Sequence, residues 1–334
     1  MTIKIGFVGT SLSHPLSIGR VVQRYGLGEI AGVWGEEDDT AEKISHTLNI
    51  PRLETPEAVL ELCDVAVIAT RTDQHSEYAM RAIDAGRPVF VDKPLALSLA
   101  DADTILDYAQ DKGVPLMSCS IRRYAPAFVS LAEEVRSGQA GLPISATRFE
   151  PHGIQPGGWQ DRPETSGGLI FSFGIHCVDN LRALMGCEPV AVSCFASKLQ
   201  HQDAHSHDAA TITIQFANGA VGHAEVIGAM TPGPHMATAP AMRAFCTEQS
   251  MEARLVEDQA QRYNGGRLGV SPYYDIASGL LDMARAIIEM ARTGESPIAT
   301  SEMREVISIL EAARISTQTR QTVSLSKSES LSST

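Results

Sequence analysis

Short apolar runs alternate with amphipathic segments over residues 3–121, and this alternation constrains the fold more than any other feature. The apolar runs have the length and composition of strands, which we predict over Ile3–Val8, Glu29–Trp34, Val65–Thr70, Pro88–Val91 and Pro115–Ser118. Helix start and stop signals predict helices over Pro15–Tyr25, Thr40–Leu48, Gln74–Ala85 and Ser98–Lys112. Because such alternation requires a mostly parallel sheet with helices on both faces, we predict a doubly wound, Rossmann-type α/β domain.

The pattern changes after Ile121, where strands with a two-residue period become prominent. In Thr211–Phe216 apolar and polar side chains alternate, and Asn218-Gly219 is a strong signal for a two-residue hairpin turn. The further predicted elements are the strands Ile144–Glu150 and Ala220–Ile227, the helices Ala127–Arg136, Ile170–Met185, Tyr274–Thr293 and Glu302–Thr319, and a Gly/Pro-rich loop over Gly153–Gly168. We therefore predict an α+β domain with a large, mainly antiparallel, open-faced sheet.

The chain length of 334 residues suits two domains of about 150 residues each. We place the α/β domain at residues 1–121 and the α+β domain at residues 122–323. Residues 324–334 are rich in serine and poor in apolar side chains, so we expect a disordered tail.

A formal net charge of −13 argues against several kinds of partner. So acidic a surface repels phosphate backbones and anionic lipid, and we expect neither nucleic acid nor a membrane as partner. No apolar run approaches the roughly 18 residues of a membrane helix. None of the six cysteines forms a Cys-x-x-Cys pair, so we expect no metal site and buried thiols in a reducing cytoplasm, with disulfides as the alternative.

The turn between the first strand and the first helix is a candidate phosphate-binding site. Gly9 stands where a dinucleotide fingerprint has its first glycine, while Ser11 and His14 replace the usual second and third small residues. The backbone around Thr10 and Leu12 would approach a pyrophosphate at the helix start. The alternative is a plain strand-to-helix turn capped by Ser13.

Acidic residues follow the second predicted strand, at the place where a carboxylate usually binds the adenosine ribose. The expected position falls on Gly35, so Glu36 or Glu37 would serve by displacement. No Arg or Lys follows in this segment to neutralise a 2′-phosphate, which favours NAD over NADP. The alternative is a solvated acidic loop.

Two further segments carry a resemblance to a known family. Val65–Thr70 is followed by Arg71 and His75, and a later strand ends in Asp92-Lys93-Pro94. The order and spacing resemble the glucose–fructose oxidoreductase / inositol dehydrogenase (Gfo/Idh/MocA) family, in which a strand ends in Ala-Thr-Pro and another in Glu-Lys-Pro.

This resemblance covers about residues 3–320 and assigns roles to the two segments. It implies that Thr70, Arg71, His75, Asp92 and Pro94 line the cofactor site, and that Lys93 lies near the nicotinamide and the substrate hydroxyl. It also implies an unusual, often cis, peptide bond before Pro94 that directs the lysine. The alternative for Lys93 is a surface lysine before a loop proline.

A glycine-rich entry to a helix, from Ser166 to Asp179, resembles the family segment that carries a catalytic Asp and His. His176 and Asp179 match that segment, while Ser172 stands where the family often has the Asp. On one helix these three residues share a stripe, so Ser172 could orient His176 as an acid–base group. The alternative is a structural histidine that faces the sheet.

Weaker signals lie outside these segments. Arg123 belongs to a stretch that resembles the family's Arg-Arg-Phe-x-Pro segment, and Trp159 in the Gly/Pro-rich loop could contact a substrate beneath a lid. The polar cluster of His201, His205, His207 and Asp208 is more typical of a solvated turn than of a metal site.

Together these features predict hydride transfer between NAD, or less readily NADP, and a secondary alcohol of a sugar, polyol or related small molecule. Lys93 and His176 would handle the proton. Two alternatives are an NAD-dependent glycoside-processing enzyme without net redox change and a non-catalytic relative with a decayed site. The open sheet face of the resembling family further implies a homodimer or homotetramer.

Overall fold

The computed structural model describes residues 2–152, 155–228, 241–255, 259–263 and 277–325. Its first sheet contains β1 Lys4–Val8, β2 Glu29–Trp34, β3 Val65–Ile68, β4 Val89–Val91 and β5 Leu116–Met117. All four pairings are parallel, in the order β2-β1-β3-β4-β5. β3 and β4 are buried along their whole length, as the doubly wound prediction requires.

Helices alternate with these strands and confirm the predicted pattern, with one addition. They are α1 His14–Tyr25, α2 Asp38–Leu48, α3 Pro56–Leu62, α4 His75–Asp84 and α5 Leu99–Lys112. The Ser98 hydroxyl accepts the Asp101 amide at 3.1 Å, so the predicted cap of α5 is present. α3 was not predicted from the sequence, because seven residues show too little periodicity, although Thr55 caps it through the Ala58 amide.

The remaining strands build a second, eight-stranded sheet. They are β6 Pro143–Pro151, β7 Pro189–Ser197, β8 Ala209–Phe216, β9 Val221–Ile227, β10 Ala241–Cys246, β11 Ser250–Arg254, β12 Gln259–Arg262 and β13 Val323–Ser324. Their order is β12-β11-β10-β6-β9-β8-β7-β13. Every pairing is antiparallel except that between β6 and β9. The large, mainly antiparallel sheet is therefore confirmed.

Side chains on this sheet follow the predicted alternation. Ile212, Ile214 and Phe216 are buried, while Thr211 and Gln215 are exposed on the opposite face. The hairpin between β8 and β9 turns at Asn218-Gly219 as predicted. β7 and β10–β12 were not predicted from the sequence, because strands of mixed polarity give weak signals.

The segment predicted as a single helix over Ile170–Met185 consists of two helices, which is a correction. α8 Gly168–Ser172 and α9 Gly174–Met185 meet at Phe173, whose φ of −123° and ψ of −33° interrupt the helical ladder. Before them lies α7 Pro163–Ser166, and α6 Pro126–Arg136 precedes β6. The break changes the relative direction of Ser172 and His176.

The last two helices, α10 Ala277–Thr293 and α11 Thr300–Thr319, pack back against the first part of the chain. α10 contacts α1, and α11 contacts α5 and α9. An ion pair joins Arg304 to Asp103 at 2.7 Å, which fastens α11 to α5. The predicted boundary at residue 121 stays a prediction.

Parts of three sequence predictions fall outside the described residues, namely 153–154 of the Gly/Pro-rich loop, 274–276 of the penultimate helix and 326–334 of the tail. Ser324 was predicted to be disordered, but it pairs with Ala191 at the edge of the second sheet. No helix in the described part of the chain combines the length and apolar character needed to cross a membrane.

Replacing Gly9 tests the turn after β1. Its φ is +96°, and an added Cβ would lie 2.4 Å from the Thr70 amide nitrogen. We expect Gly9→Ala to lower the free energy of unfolding, measured by urea denaturation, by about 2 kcal/mol or more. The matched control is Gly86→Ala, at φ +67° with nothing within 4 Å, for which we expect about 1 kcal/mol. Equal losses in the two variants would contradict this account.

Candidate active site

Three loops meet at the carboxyl edge of the first sheet, because parallel strands end on the same side. They follow β1, β3 and β4 and carry Gly9–Ser13, Thr70–Gln74 and Asp92–Pro94. The Gly9 amide donates to the Trp34 carbonyl oxygen at 2.8 Å, and the Ser11 amide donates to the Ala69 carbonyl oxygen at 3.0 Å. These bonds hold the turn after β1 against the ends of β2 and β3.

The turn after β1 has the features that a dinucleotide requires. Gly9 approaches the backbone of Thr70 so closely that no Cβ fits. α1 begins without a side-chain cap and without an acidic residue in its first turn, which leaves its positive end available to an anion. Ser11 and Leu12 are half-buried beside this helix start, whereas Thr10 is buried. The residues present therefore fit a bound pyrophosphate.

The Thr10 side chain occupies the space that a side chain at position 35 would need, which explains why this residue is a glycine. A Cβ on Gly35 would lie 2.3 Å from the Thr10 hydroxyl oxygen. A carboxylate at this point therefore cannot come from residue 35, and Glu36 is the next acidic residue along the chain. Desolvation raises the pKa of Glu36, although the backbone amide of Thr10 acts in the opposite direction.

Arg71 places a positive charge near the acidic residues that follow β2. The segment after β2 contains no basic residue, but the fold brings the Arg71 guanidinium close enough for Glu36 and Glu37 to raise its pKa further above an already high value. The largest contribution to that shift is the hydrogen bonding of Asp73, at 3.0 and 3.2 Å. Arg71 is thus near the predicted ribose site while already paired.

His14 links the turn after β1 to the loop after β4. Its Nδ1 lies 2.6 Å from Asp92 Oδ2, and Asp92 Oδ1 accepts the Lys93 amide at 2.7 Å. Burial alone would raise the pKa of Asp92, but the His14 imidazole and the Lys93 ammonium outweigh it and lower the pKa. Asp92 is therefore an anion that orients the backbone of Lys93.

His75 is fully buried behind these loops. Its Nδ1 faces the Pro94 carbonyl oxygen at 2.8 Å and its Nε2 faces the Thr70 carbonyl oxygen at 3.2 Å. Both ring nitrogens face backbone carbonyl oxygens, and burial lowers the pKa of the imidazole, so the neutral ring donates to one of the two oxygens. His75 lies between the ends of β3 and β4, and its predicted role in the cofactor site stays a prediction.

Lys93 reaches from the first sheet to the helix break of the second half. Its Nζ donates to the Ser172 carbonyl oxygen at 2.8 Å and lies 5.6 Å from the centre of the Phe173 ring. The side chain is buried, and this burial lowers the pKa of the ammonium group despite the nearby Asp92 and Glu150. The Lys93–Pro94 peptide bond is cis, as the family resemblance implies.

His176 lies beside Lys93 on the first turn of α9, but its partner differs from the predicted one. Its Nδ1 is 2.6 Å from the Ser120 hydroxyl oxygen. Ser172 was expected to orient this imidazole, yet the break at Phe173 turns its hydroxyl toward the Ser166 carbonyl oxygen, 3.4 Å away. Burial and then the neighbouring Lys93 hold the pKa of His176 well below its usual range.

Asp179 acts on Ser120 and Arg123 instead of on His176. Its carboxylate accepts both Nε and Nη2 of Arg123, at 3.1 and 2.8 Å, and the Ser120 amide at 3.2 Å. The remaining nitrogen of Arg123 donates to Glu302 at 2.7 Å. Arg123 is therefore bonded at every nitrogen, and its predicted contact with a substrate is not supported by this arrangement.

A second ionic group lies on β6, next to His176. Arg148 is fully buried and donates to Asn180 at 3.0 Å and to Glu150 at 2.5 Å, as well as to the Phe149 carbonyl oxygen. The other oxygen of Glu150 faces Nη2 of Arg122 at 3.4 Å. This ionic group was not predicted from the sequence, because its members come from distant segments and no local motif joins them.

The Gly/Pro-rich loop is fastened by its own polar side chains. Asp161 accepts the amides of Gly157, His205 and Ser206 at 2.9 to 3.1 Å, which ties the loop to the β7–β8 connection. The Trp159 carbonyl oxygen accepts the Thr165 hydroxyl within the loop, and the Trp159 side chain is half-buried. His152, which precedes this loop, stacks on Phe173 at 3.8 Å between ring centres.

The polar cluster in the β7–β8 connection forms a turn. Asp208 accepts the backbone amides of Leu199, Gln200 and His201, so its carboxylate is used by the turn itself. Among the described residues no group of three potential metal ligands is found.

Comparison with known proteins decides the family. Residues 3–119 match the sequence model of an oxidoreductase family with an NAD-binding Rossmann fold, and residues 128–252 match the GFO/IDH/MocA C-terminal domain. The chain belongs to the Gfo/Idh/MocA family.

Individual relatives agree with this assignment. A 192-residue segment is 30% identical to scyllo-inositol 2-dehydrogenase (NAD(+)) of Bacillus subtilis and covers 55% of either chain. The scyllo-inositol 2-dehydrogenase (NADP(+)) IolW of the same organism is 24% identical over 97% of this chain and 96% of its own. The chain spans about half the length of the first curated Gfo/Idh/MocA relatives that it matches.

A solved structure shows the same fold. GenD2 from gentamicin A biosynthesis, in complex with NAD, superposes with a TM-score of 0.84 at 22% identity and covers 97% of both chains. The two-sheet architecture is thus that of other Gfo/Idh/MocA structures.

Two buried histidines make stability depend on pH. Burial lowers the pKa of His75 and His176 in the folded chain, so below about pH 6.5 the unfolded chain binds more protons. We expect the free energy of unfolding to fall as pH drops from 7.5 to 5, by up to about 1.4 kcal/mol per pH unit for each histidine. Urea denaturation across this range measures the slope.

Two variants assign the slope to particular residues. His176→Asn should flatten it by about one histidine's contribution, whereas His46→Asn should not, because His46 is exposed on α2. A slope unchanged by His176→Asn would contradict the burial argument.

Proposed function

We propose that this protein is a nicotinamide-dependent dehydrogenase that transfers a hydride between NAD(P) and a secondary alcohol of a sugar, a polyol or a related small molecule. The observation that carries the proposal is the hydrogen bond from Lys93 Nζ to the carbonyl oxygen of Ser172, four residues before His176, which brings the lysine close enough to contribute to the lowered pKa of that imidazole. The names of the inositol dehydrogenase relatives support the substrate class. Lys93 and His176 are the proposed catalytic pair.

His176 is suited to accept the proton of the alcohol. The lowered pKa keeps the imidazole neutral at physiological pH, so one ring nitrogen has a free lone pair. When Nδ1–H donates to the Ser120 hydroxyl oxygen, that lone pair lies on Nε2. Ser120 can reverse its role because a hydroxyl both donates and accepts, and it also accepts the Arg122 amide at 3.0 Å.

Lys93 is suited to hold the alcohol oxygen. An ammonium group has three donors, and the Ser172 carbonyl oxygen accepts from one of them at 2.8 Å. The other two can donate to the substrate oxygen and stabilise the negative charge that develops when the proton leaves. A bound nicotinamide ring would supply the hydride acceptor.

The catalytic pair can be tested by substitution. We expect Lys93→Met and His176→Asn each to lower turnover at least about 100-fold, because each removes a proton-handling group. The measurement is the absorbance of reduced nicotinamide with a panel of polyols, sugars and sugar acids. Full activity in both variants would contradict the assignment, as would sugar release from a glycoside by the unmodified protein without net NADH.

A surface lysine is the control for these variants. Lys112→Met removes an exposed ammonium group on α5 and should leave turnover unchanged. Thermal unfolding of all variants separates loss of activity from loss of fold.

For the cofactor, we propose NAD in preference to NADP. Glu36 lies beside the Thr10 amide at the predicted ribose position, and a carboxylate there favours a free 2′-hydroxyl over a 2′-phosphate. Arg71 is the nearby cation that could serve a 2′-phosphate, but Asp73 already pairs with it. One relative, IolW, carries NADP(+) in its name, so the preference of this protein has to be measured directly.

Cofactor preference gives a second test of the proposed function. We expect kcat/KM for NAD to exceed that for NADP by about tenfold or more, since like charges repel at the ribose site. Glu36→Gln should narrow this ratio, and Glu37→Gln should not if Glu36 is the ribose ligand. A ratio that favours NADP in the unmodified protein would contradict the proposal.

We also propose that the protein works in a reducing cytoplasm and assembles as a homodimer or homotetramer. All six cysteines are free thiols, and burial raises the pKa of Cys63 to about 11 and that of Cys177 to about 12, so both stay protonated. Phe195 and Phe245 are exposed on the open face of the second sheet, which supports self-association there.

A further inference from the structure

Three arginines lie near the proposed catalytic pair, and two of them are satisfied by the protein. Arg123 is bonded at all three guanidinium nitrogens by Asp179 and Glu302. Arg148 is likewise bonded at all three, to Asn180, Glu150 and a backbone carbonyl oxygen. Their guanidinium groups serve the fold.

Arg122 differs from both. Its side chain is 24% exposed, and its one ion pair in the described part of the chain is the 3.4 Å contact with Glu150. Its Nε is buried and has no hydrogen-bond partner among the residues that the structure describes. A buried donor without a partner is unfavourable by about 1–3 kcal/mol, so such a group points to an acceptor that binds there.

The charges around this arginine are unbalanced toward the positive. Within the described residues Lys93 Nζ has a carbonyl oxygen as its hydrogen-bond partner and forms no ion pair. Glu150 already receives Arg148 at 2.5 Å, and Asp92 is engaged by His14. Three cations, Lys93, Arg122 and Arg148, thus share two carboxylates, Asp92 and Glu150, so this group lacks one carboxylate for charge balance.

We infer that the substrate itself supplies this carboxylate, so that the protein acts on a sugar acid whose carboxylate binds Arg122 and the ammonium of Lys93. This inference rests on the proposed function, because it takes Lys93 and His176 as the catalytic pair. A guanidinium fork receives a carboxylate through two parallel hydrogen bonds. One missing negative charge matches a carboxylate better than a phosphate dianion.

The position of the cation excess explains why the anion would belong to the substrate. The Phe173 ring, three residues before His176, contacts both Lys93 Nζ and the His152 ring, and Arg148 donates to Asn180 on the helix of His176. These cations therefore lie close to the imidazole that is proposed to meet the alcohol. A substrate carboxylate there satisfies Arg122 without disturbing the Arg148–Glu150 pair. The whole chain carries a net charge of −13, so this cationic region is a local property of the site.

Matched pairs of ligands test the inference through binding. The protein in complex with NADH is titrated calorimetrically with D-glucuronate against D-glucose and with D-gluconate against D-sorbitol, each pair differing in the carboxylate. We expect one acid at least to bind about tenfold more tightly than its neutral counterpart, which corresponds to about 1.4 kcal/mol.

Variants of Arg122 show whether that residue is responsible. Arg122→Gln should abolish the advantage of the acid, Arg122→Lys should restore part of it, and Arg136→Gln, an exposed arginine on α6, should change nothing. The Kd of NADH in each variant confirms an intact cofactor site.

Several results would overturn the inference. They are equal affinity for acid and neutral sugar, an advantage that survives Arg122→Gln, tighter binding of D-glucose 6-phosphate than of either acid, and no binding of any acid. Turnover is measured separately, so the two proposals can fail independently. Arg122-dependent binding of an acid without NADH formation would refute the dehydrogenase activity and support the carboxylate site. Oxidation of neutral sugars that does not need Arg122 would support the dehydrogenase activity and refute the carboxylate site.

Discussion

The hydrogen bond from Lys93 Nζ to the Ser172 carbonyl oxygen is the contact on which the arrangement of the site depends. It exists because α8 ends at Ser172. A carbonyl inside a continuous helix would be committed to the amide four residues later, whereas the last carbonyls of a helix need other partners. The break at Phe173 thus creates the acceptor, and the Phe173 ring faces the same ammonium group at 5.6 Å. A buried cation is stable only with such partners.

The sequence predicted the parts of the fold that depend on local pattern. The strands of the first sheet and the cap of α5 follow from apolar runs and from Ser98, so they could be read from neighbouring residues. The strands β10–β12 could not, because they are short and of mixed polarity, and because β10 is fixed by its pairing with β6, about a hundred residues earlier. The single helix predicted over Ile170–Met185 failed because its one warning signal is Gly174, directly after Phe173, and a lone glycine does not by itself end a helix.

In the candidate site, too, the residues in local motifs could be predicted and their distant partners could not. Lys93 and His176 were predicted from motifs, because each lies in a short segment whose spacing is distinctive. Their supporting residues were not, since Ser120 reaches His176 from 56 positions away and carries no signature of its own. Ser172 was predicted to orient the imidazole because helical spacing would place it beside His176. The helix is interrupted at Phe173, and the hydroxyl that contacts the imidazole is that of Ser120. Prediction of a partner therefore requires the tertiary path of the backbone.

His14 and Asp92 join the turn that would hold a pyrophosphate to the loop that carries the lysine, through contacts of 2.6 and 2.7 Å. A ligand that binds and orders the turn after β1 therefore changes the free energy of the loop after β4. Thermodynamic linkage makes this effect mutual. One coupling free energy therefore describes both how a ligand at the turn after β1 favours one orientation of the Lys93 ammonium group and how that orientation favours binding of the ligand.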